Sequence, residues 1–281
     1  MKKIALITGT SSGIGLVTAI EMAKAGFHVI ATMRDSAKQT RLMEAANSAG
    51  VSGNIEVRAL DITKTGMLKD AVAAIIGEHQ RIDVLVNNAG YALGGFAEDI
   101  SDEELRRQFD TNFFGHVAVT KAVLPYMRAQ ASGHIIMVSS ISGLVAYPVT
   151  SSYAASKHAI EGWTESLRIE VHSLGIRVVL IEPGAFQSDI WEKNVQIGQQ
   201  AMSPGSPNQA RARRYSERVK ETKDRRDDPR RVARLITRVA QMENPKLRYR
   251  IGKDAAFFFW FKRLLPWRTY EKMIKKGTRI G

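Results

Sequence analysis

The sequence contains no cysteine, and this absence excludes disulfide bonds, thiolate metal sites and a cysteine nucleophile. A reducing compartment is compatible with it. The 6 histidines include no H-E-x-x-H motif and do not cluster along the chain in the manner of metal ligands. We therefore expect no catalytic metal.

Long apolar runs are also missing. No stretch approaches the roughly 18 consecutive apolar residues of a membrane-spanning helix. The apolar run that begins at Ile4 meets Gly9 almost at once, so it is too short for the hydrophobic region of a secretory signal. We therefore expect a cytoplasmic protein.

Acidic residues are scarce in the last quarter of the chain. The net charge of the whole chain is +13, and residues 211–281 contain 23 Lys and Arg against 8 Asp and Glu. The first 210 residues are nearly neutral, at −2. This asymmetry indicates a local surface that meets something acidic.

Short apolar runs alternate with segments of helical periodicity, and Ser101 with Glu104 has capping-box spacing before one long helical pattern. The alternation predicts one α/β domain over residues 1–281, with a doubly wound, mostly parallel, Rossmann-type sheet and helices on both faces. The predicted strands are residues 3–8, 27–33, 55–60, 82–86, 135–139, 176–181 and 249–251. The predicted helices include residues 36–49, 64–78, 151–174 and 229–242.

A glycine-rich turn, Thr8 to Gly15, joins the first predicted strand to the first predicted helix. Backbone N–H groups at a helix N-terminus suit a pyrophosphate, and glycines let the backbone approach it closely. The spacing is G-x-x-x-G-x-G rather than the commoner G-x-G-x-x-G, and a turn without chemical function is the alternative. The strand before and the helix after favour a dinucleotide site at Gly9, Ser11, Ser12, Gly13, Ile14 and Gly15.

The end of the second strand predicts which dinucleotide is used. Folds that bind NAD often place an acidic residue there, to accept a hydrogen bond from the ribose 2′-hydroxyl. This chain has Arg34 at that place and Asp35 only afterwards. Arginine pairs with a 2′-phosphate and Ser11 adds a hydroxyl, so we predict NADP(H). The alternative is that Arg34 is a solvated residue at a helix start.

Tyr153 and Lys157 lie four residues apart, on one face of a predicted helix. A nearby ammonium favours the phenolate and lowers a pKa that is normally about 10, which suits tyrosine to proton transfer. Tyr249 and Lys253 repeat this spacing, but no hydroxyl-rich strand end precedes them. Ser140, 13 residues before Tyr153, ends a strand where its hydroxyl can hold a substrate oxygen.

The combined motifs resemble those of the short-chain dehydrogenase/reductase family over about residues 3–190. The resemblance implies that Tyr153 is the general acid/base and that Lys157 lowers its pKa and holds the nicotinamide ribose. It implies that Ser140 binds the substrate oxygen and that Asn112 supports a proton relay through water and Lys157. Ser139 and Ser142 compete with Ser140 for this role.

The same resemblance implies the remaining cofactor contacts. Asp61 and Ile62 would border the adenine, although Asp61 also suits the cap of a turn. Asn88 is a ligand or a turn residue. The other implied contacts are Asn87, Ala89 and Gly90 on the adenosine side, and Pro183, Gly184, Phe186 and Ser188 at the nicotinamide end.

The residues around Ser11 and Arg34 resemble the branch that contains 17β-hydroxysteroid and retinol dehydrogenases. That branch implies hydride transfer between NADP(H) and a lipophilic secondary alcohol, ketone or aldehyde, in a homodimer or homotetramer, with residues 189–228 as a lid. An epimerase, a dehydratase and a non-catalytic NADP(H) sensor are the alternatives. The expected pocket residues are Leu93, Gly94, Leu144, Tyr147, Val149, Phe186 and Trp191.

Aromatic and basic residues interleave in the C-terminal extension, residues 255–281. One interpretation is peripheral membrane contact through residues 255–276, with aromatic rings inserted and basic groups facing anionic lipid. The alternatives are packing against a second subunit, packing over the pocket mouth, and burial on the chain's own domain. Nucleic-acid binding is disfavoured, because no recognised binding motif accompanies the charge.

Overall fold

The computed structural model describes residues 2–187, 195–201, 203–221 and 226–278. Within them, seven strands form one parallel sheet in the order β3-β2-β1-β4-β6-β7-β9, and β5 pairs with β8 in a separate two-stranded parallel sheet. The strands are β1 (Ile4–Thr8), β2 (His28–Met33), β3 (Ile55–Ala59), β4 (Val84–Asn87), β5 (Ala92–Gly94), β6 (Gly133–Val138), β7 (Ile176–Pro183), β8 (Val195–Ile197) and β9 (Arg248–Ile251).

Helices cover both faces of the large sheet, as predicted for a doubly wound fold. The helices are α1 (Gly13–Lys24), α2 (Thr40–Ser48), α3 (Leu68–His79), α4 (Asp102–Phe109), α5 (His116–Ala129), α6 (Ser151–Val171), α7 (Gln209–Glu221), α8 (Arg230–Val239), α9 (Lys253–Leu264) and α10 (Trp267–Thr278). None of those in the described part of the chain is both long and apolar enough to cross a membrane.

Alternate residues of each central strand point to opposite faces and supply two separate cores. In β1, Ala5 and Ile7 pack with α1, α2 and α8, whereas Ile4 and Leu6 pack with α3, α5 and α6. Burying one such aliphatic side chain contributes about 1.5–3 kcal/mol. The continuous apolar runs that predicted strands are therefore the signature of a sheet buried on both faces.

The chain reverses its direction of travel across the sheet at β1, which pairs with β2 on one side and with β4 on the other. The loops that leave the carboxyl ends of β1 and β4 therefore diverge, and a crevice opens between them. The glycine-rich turn follows β1, and Asn88 to Gly90 follow β4. The topology thus brings two motifs that are distant in sequence to one crevice.

The long helical pattern after Ser101 is interrupted. The predicted capping box is confirmed, since Glu104 N donates to Ser101 Oγ at 3.2 Å and Ser101 N donates to Glu104 Oε2 at 2.9 Å. A π-helical turn over Asp110–Gly115 then separates α4 from α5. The inserted residue of such a turn bends the helix and redirects its side chains, among them that of Asn112.

The predicted lid is anchored at its first half. Ala92 of β5 pairs with Val195 of β8, and the side chain of Asn208 donates to Glu98 Oε1 at 2.6 Å and to Asp99 Oδ2 at 3.2 Å. Within the described residues, the lid contains the helix α7. Trp191, an expected pocket residue, lies outside the described residues.

The inner side of the C-terminal extension packs on the chain's own domain. Phe258 of α9 meets Tyr147 edge to face at 5.5 Å, and Lys262 Nζ donates to the carbonyl of Leu144 at 2.5 Å. Tyr270 of α10 is buried in the same small core, beside Val145. The extension is thus attached to the loop that joins β6 to α6.

A buried charge cluster joins β7, β9 and α6. Arg248 Nε lies 2.9 Å from Glu182 Oε1, and Arg248 Nη2 lies 3.2 Å from Glu161 Oε2 and 2.5 Å from Glu165 Oε1. Glu182 is fully buried, and burial, assisted by the neighbouring Glu161, raises its pKa to about 8. The cluster therefore couples the packing of β7, β9 and α6 to the protonation state of Glu182.

We expect Glu182→Gln to flatten the pH dependence of stability. The folded chain binds a proton at Glu182 up to a pKa of about 8, while the unfolded chain releases it near 4.5, so the free energy of unfolding falls as pH rises through that window. Between about pH 5 and 8 the free energy of unfolding of the wild type should fall by on the order of 3 kcal/mol relative to that of the variant. Urea unfolding at several pH values measures this. Glu165→Gln, at the half-exposed end of the cluster, is the control, and parallel curves for Glu182→Gln and wild type would refute the account.

Candidate active site

A cleft of about 320 Å³ opens at the crevice between β1 and β4. Most residues predicted for the site line it, whereas Gly15, Asn87 and Asn112 do not, and Ser188 lies outside the described residues. The predicted residues that line it are Gly9, Ser11, Ser12, Gly13, Ile14, Arg34, Asp61, Ile62, Asn88, Ala89, Gly90, Ser140, Tyr153, Lys157, Pro183, Gly184 and Phe186.

Asn88 fixes the glycine-rich turn. Its Nδ2 donates to the carbonyls of Thr8 at 2.9 Å and Gly9 at 3.0 Å, and its backbone N–H donates to Thr8 Oγ1 at 3.0 Å. Gly15 packs behind this turn, because a Cβ at Gly15 would lie 2.2 Å from the Gly9 oxygen and 2.4 Å from Asn88 Nδ2. Asn88 is thus both a lining residue and the clamp of the turn, and Gly15 provides close packing.

The acidic residues near the expected ribose are engaged locally. Asp35 Oδ1 accepts from Ala37 N at 3.0 Å and caps a turn, and Asp35 is not one of the residues that line the cleft. Asp61 lines the cleft and also accepts at 3.0 Å from the backbone N–H of Thr63, the cap that was the alternative interpretation. Arg34 is exposed at the cleft wall, at the end of β2. Arg34 therefore adds a positive charge to this wall of the cleft.

Tyr153 and Ser140 are hydrogen-bonded at the other end of the cleft. Ser140 Oγ also accepts from Ser142 N at 3.1 Å, which fixes the hydroxyl. Of the three competing serines, Ser140 is therefore the one that contacts Tyr153, although Ser139 also lines the cleft. Lys157 Nζ donates to the Val138 carbonyl at 2.8 Å and lies 5.8 Å from the centre of the Tyr153 ring.

Burial dominates the proton affinities of this pair. It raises the pKa of Tyr153 to about 12, against the opposing hydrogen bond from Ser140, and it lowers the pKa of Lys157 to about 8, against the opposing charge of Glu161. The expectation that Lys157 lowers the pKa of Tyr153 is therefore not met in this arrangement. The physical reason is that both side chains are only 3% exposed and the ammonium is directed at the Val138 carbonyl.

Asn112 lies behind the cleft wall. Its Nδ2 donates to the Tyr91 carbonyl at 3.0 Å and to Ser156 Oγ at 3.3 Å, and its Oδ1 accepts from Tyr91 N at 3.2 Å. Ser156 Oγ in turn donates to the Tyr153 carbonyl at 2.7 Å. This geometry makes the Asn112 side chain a link between Tyr91 and α6, and the implied relay through water and Lys157 stays a prediction.

The expected substrate-pocket residues are only partly gathered. Phe186 lines the cleft, whereas Leu144 and Tyr147 pack against α9 and Leu93 is buried in the interior. Gln196 of β8 lines the cleft and was not predicted. No local sequence signal marks Gln196, because it reaches the cleft through the pairing of β8 with β5.

Glu161 is a site residue that the sequence analysis missed. It lies one helical turn after Lys157, and its charge raises the pKa of that lysine. The four-residue spacing was a signal for this contact. Nothing local predicts its partner Arg248, which arrives from β9 through the sheet topology.

Two of the histidines, which are far apart along the chain, lie close together in three dimensions. His28 and His79 each place Nε2 beside Glu56 Oε2, at 3.4 and 3.0 Å, at the edge of the sheet opposite the cleft. The other carboxylate oxygen of Glu56 pairs with Arg58. β2, β3 and the end of α3 meet there, so residues far apart in sequence become neighbours.

Comparisons with known proteins show which family has this fold and this sequence pattern. A family model described as short chain dehydrogenase matches residues 3–197. The uncharacterised oxidoreductase YusZ of Bacillus subtilis is 42% identical over 98% of both chains. The 3-ketodihydrosphingosine reductase of Bacteroides thetaiotaomicron is 36% identical over 99% of this chain and 97% of its own. Retinol dehydrogenase 8 of Homo sapiens is 41% identical over 72% of this chain and 64% of its own.

Among solved structures, ElxO with NADP bound is 27% identical and has a TM-score of 0.76, covering 92% of this chain and 100% of its own. The resemblance that the motifs carried is confirmed, including its link to the branch that contains retinol dehydrogenases. Fold, cleft and relatives lead to one conclusion. This chain belongs to the short chain dehydrogenase family.

Proposed function

We propose that this protein transfers a hydride reversibly between NADP(H) and a lipophilic secondary alcohol, ketone or aldehyde. The observation that carries the proposal is the Tyr153–Ser140 hydrogen bond at one end of the cleft, with the Lys157 ammonium 5.8 Å from the tyrosine ring. A phenol and a serine hydroxyl on one oxygen-binding position are the groups that carbonyl reduction needs.

The cleft fits a dinucleotide phosphate. The N-terminus of α1 and the glycine-rich turn form one end, where backbone N–H groups and the helix dipole stabilise a pyrophosphate. Arg34 would pair with the 2′-phosphate, and Asp35 is occupied as a cap, which favours NADP(H) over NAD(H). The similar structure of ElxO with NADP bound supports the same assignment. Bound NADPH supplies the hydride, or NADP⁺ accepts it.

The chain's own groups handle the proton. In the direction of reduction, Tyr153 Oη donates a proton to the carbonyl oxygen, which Ser140 Oγ also holds. Burial keeps the Tyr153 phenol protonated at neutral pH, so the phenol is available as the proton donor, and the hydrogen bond from Ser140 stabilises the phenolate that results. Oxidation reverses these steps, so the phenolate then takes up the alcohol proton.

Three observations support a lipophilic substrate. Phe186 contributes an apolar wall to the cleft and is only 2% exposed. The names of two similar proteins each contain the name of a lipid, retinol in one and 3-ketodihydrosphingosine in the other. The second of these matches the chain over nearly its full length, and so we place a long-chain ketone first among the candidates.

Replacing Tyr153 tests the reaction. We expect Tyr153→Phe to lower kcat by about 10²–10⁴-fold, because the proton donor is lost, while NADPH binding changes little. Initial rates of NADPH oxidation with aliphatic, aromatic, retinoid and long-chain carbonyls measure kcat, and fluorescence titration measures binding. Tyr249→Phe is a matched control, since Tyr249 precedes a lysine at the same spacing but hydrogen-bonds Lys246 N, away from the cleft. Tight NADPH binding without turnover of any carbonyl would instead favour an epimerase, a dehydratase or a sensor.

Arg34 tests the cofactor preference. Arg34→Asp removes the partner of the 2′-phosphate and adds a repelling charge, so we expect NADPH affinity to fall about 10- to 100-fold with little change for NADH. The ratio of kcat/KM for the two cofactors reports the change. Lys38→Asp alters the charge nearby without touching the cleft and should leave the ratio unchanged. A variant of Arg34 that still preferred NADPH would disprove the assignment.

A further inference from the structure

The C-terminal helices expose a row of large apolar side chains. Phe257, Trp260 and Leu264 of α9 are 55%, 51% and 73% exposed, and Trp267 at the start of α10 is 65% exposed. The first three follow at intervals of three and four residues, so they share one face of α9. We call these four residues the apolar ridge. Phe257, Trp260 and Leu264 also line one shallow groove.

The apolar ridge is not the packing face of α9. Phe258, Phe259 and Phe261 supply the contacts with the domain core, where Phe258 meets Tyr147. These three aromatic rings pack against the domain, and the side chains of the apolar ridge are left in contact with solvent. Exposed apolar residues in a contiguous patch mark an interaction surface.

The segment that carries the apolar ridge is positively charged. Residues 255–278 contain six Lys and Arg against a single acid, Glu271, which pairs with Lys275 at 2.8 Å. Five of the six basic side chains are exposed, namely those of Arg263, Arg268, Lys272, Lys275 and Lys276. Tryptophan, phenylalanine and leucine within a basic field are the composition of helices that lie in the interface of an anionic bilayer.

Charge also argues against two other possible partners of this surface, a second copy of the chain and a nucleic acid. A symmetric contact between two copies would bring the same basic patches together, and like charges across an interface are unfavourable. A nucleic acid would satisfy the charge but would leave the ridge without apolar partners. An anionic lipid surface satisfies both, since its phosphates meet the basic groups and its acyl region accepts the ridge.

Helices α9 and α10, which carry the apolar ridge, contact two elements near the Ser140 end of the cleft. Lys262 of α9 donates to the Leu144 carbonyl at 2.5 Å, and Leu144 lies in the loop that joins Ser140 to α6. On the other side, Arg218 Nε of α7, in the predicted lid, donates to the Gly277 carbonyl of α10 at 3.2 Å. One surface therefore contacts both the loop that follows Ser140 and the lid.

We propose that the apolar ridge and the basic residues around it form a surface that docks the protein on an anionic bilayer. The helices lie along the membrane rather than crossing it. If the proposed function holds, docking places the substrate loop and the lid at the lipid surface, so that a lipophilic ketone passes from the bilayer to the cleft with little exposure to water. Docking itself does not depend on the reaction.

Vesicle flotation of the whole 281-residue chain, without cofactor or substrate, tests docking. We expect binding to phosphatidylcholine vesicles that contain phosphatidylglycerol, weaker binding to phosphatidylcholine alone, and release by salt. Leu264→Asp should weaken binding by about tenfold or more, because it places a charge in the ridge. Ile169→Asp is the matched control, because Ile169 is an aliphatic residue of α6 that is 80% exposed and lies outside the patch.

Several results would overturn the proposal. The first is that the protein does not bind anionic vesicles, and the second is that Leu264→Asp and Ile169→Asp lose binding equally. The third is a dimer in analytical ultracentrifugation that Leu264→Asp converts into a monomer.

A kinetic measurement separates docking from the reaction. Leu264→Asp should raise KM for a long-chain ketone presented in vesicles and leave KM for a short, water-soluble ketone unchanged. Vesicle binding without turnover of any ketone, aldehyde or secondary alcohol would refute the proposed function and leave docking supported.

Discussion

The buried ammonium of Lys157 is the constraint on which the rest of the site depends. A charge that is 3% exposed requires partners, and two are present, the Val138 carbonyl at 2.8 Å and the carboxylate of Glu161 one helical turn away. Glu161 is itself largely buried, and burial raises its pKa. It is held by Arg248, which also contacts Glu182. Burial thus lowers the proton affinity of Lys157, and the opposing charge of Glu161 belongs to a cluster that reaches Arg248 on β9.

Local patterns predicted the parts of the molecule that depend on neighbours in sequence. The strand at Ile4–Thr8 came from its apolar run, the capping box from the spacing of Ser101 and Glu104, and the helical pair Tyr153 and Lys157 from four-residue spacing. The roles of the cofactor residues came from resemblance to a family. Neither source depended on knowing which strands are neighbours.

The features that escaped prediction are those that require the topology. Arg248 reaches Glu161 because β9 lies beside β7, and His28 meets His79 because the end of α3 returns to the edge of the sheet near β2. The place of Asn112 depended on a π-helical turn, which periodicity cannot distinguish from a continuous helix. In each case the sequence contained the residues but not the geometry that pairs them.

The strand β9 links the chemistry to the surface. Its Arg248 belongs to the charge cluster behind Lys157, and the next residues of the chain lead through Gly252 directly into α9. Arg250 of the same strand stacks over Phe259 at 3.9 Å, so the base of α9 is fixed to the sheet. The helix α9, which carries three of the four residues of the apolar ridge, therefore continues directly from a strand of the sheet. A surface attached in this way has a defined orientation relative to the cleft, as the proposed uptake of a lipophilic substrate from a bilayer would require.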